Sequence, residues 1–132
     1  TLVGRLDYGA DLLHQLDEIC VKAEITAGRL QTIGALQSAA IAYYHQDSRE
    51  YETIEYKQHM EIVSLVGNIS YKDGAPMVHA HMSLADEHGE MVGGHVVAGN
   101  IIFAAEFIIT ELNAPFFERK FDPQTGLYLW EI

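Results

Sequence analysis

A chain of 132 residues, 48% of them hydrophobic, is long enough and apolar enough to build one folded domain, which excludes a disordered protein. Its net charge of −11, from 8 basic and 19 acidic residues, argues against binding to a nucleic-acid backbone, because that affinity comes largely from lysine and arginine. A single cysteine, Cys20, excludes a disulfide framework within one chain.

The first predicted element is an amphipathic helix between Tyr8 and Glu24. Asp7 is a suitable N-cap, and Gly28 lies just beyond the expected end, where a glycine often follows a helix. The apolar side chains recur at spacings of three and four residues, so they share one buried face. That face contains Leu12, Leu13, Leu16, Ile19, Cys20 and Ala23. Cys20 is therefore expected to be a small buried hydrophobe rather than a catalytic thiol.

The rest of the chain is predicted to form eight or so strands. RLQTIG and LQSAAIAYYH are short β-like runs split by Gly34, YETIEY alternates, and EIVSLVGNIS ends near Gly67 and Asn68. VHAHMSLA and MVGGHVV follow, and the apolar IIFAAEFII is typical of a central strand. The tail FFERKFDPQTGLYLWEI predicts a hairpin around DPQTG. The prediction is one α+β domain over residues 1–132, mostly antiparallel and β-sandwich-like, with one main N-terminal helix.

The sequence also bears on the compartment. No stretch approaches the roughly 18 apolar residues that a membrane-spanning helix needs. The first residues lack the basic start and long apolar core of a signal peptide. With one cysteine, the chain fits a reducing compartment. We therefore expect a cytoplasmic protein with no membrane association.

A cluster of histidines in VHAHMSLADEHGEMVGGHVV is the main candidate site. His79 and His81 share one face of a strand, because side chains alternate with a period of two. If Glu87, His88 and Gly89 form a three-residue loop, Asp86 pairs with Glu90 and His81 lies opposite His95. His79 is then diagonal to His95 on the same face. A two-residue loop would turn His95 to the other face, but Gly89 favours the longer loop.

Three imidazoles in this arrangement can bind one metal ion at about 2.0–2.1 Å. Neutral imidazole suits Zn, Cu, Fe and Ni, so the ligand set does not select the metal. Three protein ligands leave a coordination position open, as in catalytic or ligand-binding sites. The competing interpretation is that these histidines are polar residues on the wet face of a hairpin. His88, in the loop, is expected to be solvated.

Glu106 interrupts the apolar run IIFAAEFII and needs an explanation of its own. A carboxylate in a central strand is costly to bury without a partner. It could pair with Arg5 or Arg29, or reach water at a subunit boundary. Alternatively, it faces the histidines as a catalytic acid or base, or as a partner of a metal ligand.

Several segments together resemble the PPC (plants and prokaryotes conserved) domain. They are GRLDYGADLLHQLDEIC, IGALQSAAIAYY, EIVSLVGNIS and above all HAHMSLADEHGEMVGGHVVAG, which has H-x-H, a glycine near the turn and then GGH. The resemblance runs from about Gly4 to Glu111, so residues 113–132 look like a family-atypical C-terminal hairpin. It implies a stand-alone prokaryotic member with a fold related to acetolactate decarboxylase, a metal enzyme that uses three histidines.

The resemblance further implies a homotrimer with His79, His81 and His95 as zinc ligands or as part of a site between subunits. Arg5 matches a recurrent family position, where it could bind an anion near the metal or form an ordinary ion pair. The plant members are DNA-binding proteins that carry AT hooks. This chain has no Arg-Gly-Arg-Pro element with which an AT hook reads the minor groove.

Two main functions therefore stand at this point. The first is a trimeric, metal-binding regulatory module, associated with DNA only through the family. The second is a metal-dependent lyase or hydrolase that uses an open three-histidine site, with Glu106 or Arg5 as a helper. Direct DNA binding by this chain ranks last, because of its acidic charge.

Overall fold

The structure, a computed structural model, describes residues 1–114 and 117–131. The backbone of these residues forms one helix and nine strands, which confirms the predicted α+β class. In chain order the elements are β1 (Leu2–Leu6), α1 (Leu12–Lys22), β2 (Gly28–His45), β3 (Glu50–Tyr56), β4 (Met60–Lys72), β5 (Ala75–Ala85), β6 (Met91–Val96), β7 (Ile101–Glu111), β8 (Arg119–Asp122) and β9 (Leu127–Trp130). No helix in the described part of the chain is long and apolar enough to cross a membrane.

Seven strands form one antiparallel sheet in the order β1-β7-β2-β4-β5-β6, with β3 paired to β2. The first half of β2 pairs with β4 and β7, whereas its second half pairs with β3 and β6. Because β6 also pairs with β5, the path from β2 through β4, β5 and β6 returns to β2. The sheet therefore curls around a core instead of lying open. β8 and β9 form the predicted C-terminal hairpin.

Helix α1 begins later than predicted. Asp11, not Asp7, is the N-cap, and its carboxylate accepts a hydrogen bond from the His14 backbone N–H at 3.1 Å. Gly9 has φ +78, a left-handed conformation that no helical residue adopts, so the helix starts only after it. At the other end the left-handed residue is Glu24 (φ 54), and the predicted terminator Gly28 instead opens β2.

The predicted break at Gly34 is wrong, because β2 is one strand of 18 residues. The register shifts between Thr32 and Gly34, which is the signature of a β-bulge. Gly34 has φ +152, and a Cβ atom there would lie 2.2 Å from the carbonyl oxygen of Ala104. The glycine thus bends the strand rather than ending it, and the bend lets the two halves of β2 pair with different strands.

The predicted end of β4 near Gly67 and Asn68 is also wrong, since β4 continues to Lys72. In the β4–β5 register Asn68 lies opposite His79. A Cβ atom on Gly67 would lie 2.6 Å from the carbonyl oxygen of His79, so glycine permits the close approach of β5. The extension of β4 is what places polar side chains beside the histidines.

The sheet has a buried face and an outer face. Helix α1 covers the buried face with Leu12, Leu16 and Cys20, all fully buried in the core. Residues paired across neighbouring strands form one row on the outer face. That row contains His95, His81, Val66, Gln31, Ile108 and Val3. The histidines therefore share a face with exposed apolar side chains.

Candidate metal centre

The loop between β5 and β6 is the predicted three-residue loop. The Asp86 N–H donates to the Glu90 carbonyl at 3.0 Å, and the Gly89 N–H donates to the Asp86 carbonyl at 3.0 Å. Gly89 is left-handed with φ +78. The Asp86 carboxylate also accepts from the His88 and Glu90 N–H groups at 2.8 and 2.9 Å. His88 is exposed, as expected for a loop residue.

This loop sets the register that brings the three histidines together. His81 pairs directly with His95, as predicted. The ring centroids are 5.3 Å apart for His79 and His81, 5.1 Å for His79 and His95, and 5.4 Å for His81 and His95. One nitrogen from each ring lies within 4.8 Å of the other two. Since each metal–nitrogen bond is about 2.0–2.1 Å, small side-chain rotations would place all three on one ion.

The two half-buried histidines are held in the neutral form that binds metals. Burial, followed by the positive charge of Arg119 and the neighbouring imidazoles, lowers the pKa of His79 to about 4. Burial, then His81 and Arg119, lowers the pKa of His95 as well. At neutral pH neither ring has to release a proton before it can bind a cation. The residues present therefore fit a transition metal.

The histidines form the floor of a pocket of about 730 Å³. One wall comes from the second half of β2 and from β3, where the Tyr51 ring lies 5.3 Å from the His95 ring. The other wall is the β8–β9 hairpin. The hairpin is fastened to the body of the fold because Arg49 donates to the carbonyls of Pro123 and Gln124, and the Tyr44 hydroxyl donates to that of Thr125. A coordination position left open by the trio would face this pocket.

Arg119 is the site residue that the sequence did not reveal. It lies on β8, is 8% exposed and lines the pocket. Its guanidinium donates to the Ser70 hydroxyl at 2.7 Å and to the Asn68 side-chain oxygen at 2.8 Å, and it contacts His79 Nδ1 at 3.4 Å. In the sequence it is one of two adjacent basic residues in the C-terminal tail, and no local pattern distinguishes it from Lys120.

The candidate helpers Arg5 and Glu106 lie elsewhere on the outer face. They are paired across β1 and β7 and line two clefts of about 460 and 390 Å³ that exclude the three histidines. Glu106 is exposed rather than buried, because the outer face of β7 has no covering layer. Within one chain, neither residue shares the histidine pocket.

The remaining histidines do not join the trio. His14 pairs with Glu18 at 3.3 Å and His45 with Glu52 at 2.7 Å, both on the surface. Over the described residues 1–114 and 117–131, His79, His81 and His95 are the one group of three or more candidate ligands with converging atoms.

Fold and site together define a class of protein, a curled α+β domain with an open three-histidine pocket. The family model of the Plants and Prokaryotes Conserved (PCC) domain matches residues 1–113, and the chain belongs to this family. The recognition made from the sequence is thereby confirmed.

Two solved structures share both fold and sequence with this chain. A metal-containing protein from Archaeoglobus fulgidus is 42% identical, with a TM-score of 0.94 over 99% of this chain and 92% of that one. A plant- and prokaryote-conserved (PPC) protein from Pyrococcus horikoshii is 39% identical, with a TM-score of 0.93 over 99% and 90%. Both matches include the C-terminal hairpin that the family model leaves out.

More distant matches extend the comparison. A protein from Bacteroides thetaiotaomicron, described as a candidate for DNA binding, shares the fold of this chain. The two are 22% identical, with a TM-score of 0.90 over 98% of this chain and 90% of that one. The bifunctional protein GlmU of Synechococcus sp. is 31% identical over 92% of this chain. The chain spans only about a fifth of the length of that relative, 18% of it.

Lowering the pH should destabilise the metal-free protein through His79. Its pKa is about 4 in the folded state against 6.5 for a free side chain, so the unfolded chain binds more protons between these values. The contribution of His79 to the free energy of unfolding is fully present above pH 6.5, where its side chain is neutral in both states, and is lost as the pH falls toward 4. Urea unfolding in EDTA between pH 7.5 and 4.5 should show a smaller loss for His79→Asn than for the wild type. His88→Asn is the control and should behave as the wild type; equal slopes in all three proteins would contradict the assignment.

Proposed function

We propose that this protein binds a divalent transition metal, zinc, through His79, His81 and His95, and acts as a ligand-binding regulatory module. The observation that carries the proposal is the convergence of the three imidazoles at the floor of an open pocket. The lowered pKa values of His79 and His95 support it, because neutral imidazoles are the ligand form. The 42% identical structure described as metal-containing is consistent with it.

The three histidines would hold the metal and leave part of its coordination sphere to the pocket. When bound, zinc would supply Lewis acidity at that open position. The chain itself excludes bulk water from two of the ligands, since His79 and His95 are half-buried, and leaves the third, His81, exposed. Zinc is favoured over other metals by the family resemblance and not by the ligand set.

The outer face of the sheet supports assembly into the homotrimer that the family resemblance implies. Val3, Ile33, Val66 and Phe103 are 72, 59, 58 and 59% exposed. A sheet face that leaves several large apolar side chains in water is typical of an interaction surface. Val66 is next to His81 in the cross-strand row, so a second copy on this face would lie beside the histidine site.

A second candidate is a metal-dependent enzyme, a lyase or a hydrolase. The pocket of about 730 Å³ favours it, because the volume in front of the histidines is large enough for a small substrate. Arg5 and Glu106 could help only from a neighbouring subunit. Turnover of a carbonyl or ester substrate by the zinc-loaded protein, absent from the EDTA-treated protein, would distinguish the enzyme from a binding module.

Metal analysis tests the central proposal. The purified protein should contain about one zinc ion per chain, whereas the double variant His81→Ala/His95→Ala should contain almost none, because one imidazole cannot hold the ion at a surface-open site. His88→Ala is the matched control and should keep the full metal content. Equal metal in the wild type and the double variant would rule the site out.

Sedimentation tests the assembly. The wild type should sediment with three times the mass of the 14.7 kDa chain. Ile33→Glu places a charge on the outer face and should shift the protein toward monomer, whereas Val21→Glu, at a 50% exposed position on α1, should not. A monomeric wild type would refute the trimer.

Direct DNA binding should be undetectable. The net charge of −11 and the lack of an Arg-Gly-Arg-Pro element argue against the displacement of counterions from duplex DNA by this chain. A fluorescence-anisotropy titration with labelled duplex at about 20 mM salt should stay flat; salt-sensitive binding would show that the charge argument fails.

A further inference from the structure

Arg119 is a buried cation without a carboxylate partner. It is 8% exposed, and no acidic side chain lies within ion-pair distance of it among the residues the structure describes. Arginine is rarely buried unless it is paired. The chain has 19 acidic residues against 8 basic ones, so the missing partner does not reflect a lack of carboxylates. An anion from outside the chain would satisfy the charge.

The hydrogen bonds of the guanidinium leave room for such an anion. Of its five N–H groups, one donates to Ser70, one to the Tyr128 carbonyl and one to Asn68. A fourth reaches Nδ1 of His79 over a long 3.4 Å, and the fifth, on the same nitrogen as the Tyr128 bond, has no partner among the described residues. One terminal nitrogen therefore has a free donor, and the other has a weakly used one.

Metal binding would release the weakly used donor. If the metal takes Nδ1 of His79, the lone pair that Arg119 contacts is occupied. If it takes the other ring nitrogen, Nδ1 carries the ring proton and becomes a donor. In either case Arg119 loses its acceptor on His79. One N–H on each terminal nitrogen is then available, and a carboxylate accepts such a pair in a bidentate manner.

The pocket around Arg119 indicates what the anion carries. Its walls include the apolar side chains of Met77, Leu127 and Leu129, and its volume is about 730 Å³. A second cation, Lys72, also lines it. A bare inorganic anion would leave these apolar walls in contact with water, whereas an organic acid would cover them. The walls and the two cations therefore match a molecule with one charged end and one apolar end.

We propose that this pocket binds a small organic carboxylate with an apolar body, held through its carboxylate by Arg119 beside the open position of the metal. The metal-linked part of this inference rests on the proposed function. The contact with Arg119 does not, because the unpaired guanidinium and the pocket are present without a metal.

Trp130 provides the readout. It is the only tryptophan in the chain, and the centroid of its ring lies 5.8 Å from the guanidinium carbon of Arg119. Titration with hexanoate should change its fluorescence and saturate. Hexanamide, which has the same shape but no charge, and inorganic phosphate, which has no apolar body, should each bind at least about ten-fold more weakly. Equal binding of hexanoate and hexanamide, or tighter binding of phosphate, would overturn the proposal.

Two sets of variants assign the binding to Arg119. Arg119→Lys keeps the positive charge but loses the pair of N–H groups on the two terminal nitrogens of the guanidinium. It should weaken hexanoate binding by about ten- to a hundred-fold. Lys120→Gln removes a neighbouring exposed charge and should leave it unchanged. If Arg119→Lys does not fold, substitutions of Met77 provide a second test. Met77 lines the pocket and lies opposite Ser70 in the β4–β5 register. The Ser70 hydroxyl accepts the hydrogen bond from the Arg119 Nε–H, so a side chain at position 77 lies near the guanidinium. Met77→Glu should supply an internal carboxylate, raise the Tm and abolish hexanoate binding. Met77→Gln removes part of an apolar wall without adding a charge, so it should not raise the Tm and should weaken hexanoate binding much less than Met77→Glu.

Comparison of zinc-loaded and EDTA-treated protein separates this inference from the proposed function. Hexanoate should bind both forms in an Arg119-dependent manner, and the zinc-loaded form more tightly. Arg119-dependent binding in a protein that takes up no zinc would support the carboxylate site and reject the metal. Zinc uptake without Arg119-dependent binding of hexanoate would support the metal site and reject the carboxylate site. If the protein shows neither zinc uptake nor Arg119-dependent binding, both proposals are rejected.

Discussion

The left-handed turn at Gly89 is the constraint on which the histidine site depends. A residue with φ +78 closes the three-residue loop and thereby pairs His81 with His95. A shift of one residue would turn every side chain of β6 to the opposite face. The three histidines come from only two adjacent strands, so a local hairpin establishes the candidate site before any long-range contact is considered.

The rest of the fold builds a pocket around the three histidines. The bulge at Gly34 bends β2, so that its second half reaches β6 and its tyrosines stand beside the histidines. The extension of β4 past Gly67 brings Asn68 and Ser70 under Arg119. The C-terminal hairpin then closes one side. Each of these contacts joins segments far apart in sequence, and together they bury His79 and His95 enough to lower their pKa values.

The outer face of the sheet combines two properties that are usually separate. It carries the polar histidine pocket at β5 and β6, and exposed apolar side chains such as Val3 and Ile33 at the other strands. Burial of that apolar area in an assembly would be favourable by roughly 25 cal/mol per Å². The same packing would bring a neighbouring copy close to the pocket, so assembly and ligand binding would be coupled in the proposed trimer.

The sequence by itself determined the local features of this protein. The α+β class, the helix face around Leu16, the C-terminal hairpin and the His81–His95 register all follow from periodicity and turn residues, which act over a few positions. The element boundaries predicted from the sequence are less accurate. Asp7, Gly34 and Gly67 are predicted to mark the start or end of an element, and none of them does.

Only the tertiary structure decided which distant residues join the site. Arg119 reaches His79 across 40 positions, and Arg5 and Glu106 fall in other clefts. Strand order and the fastening of the hairpin set these distances, and neither leaves a periodic signal in the chain. The burial of Arg119 without a carboxylate likewise depends on what packs around it, which no local pattern of charge encodes.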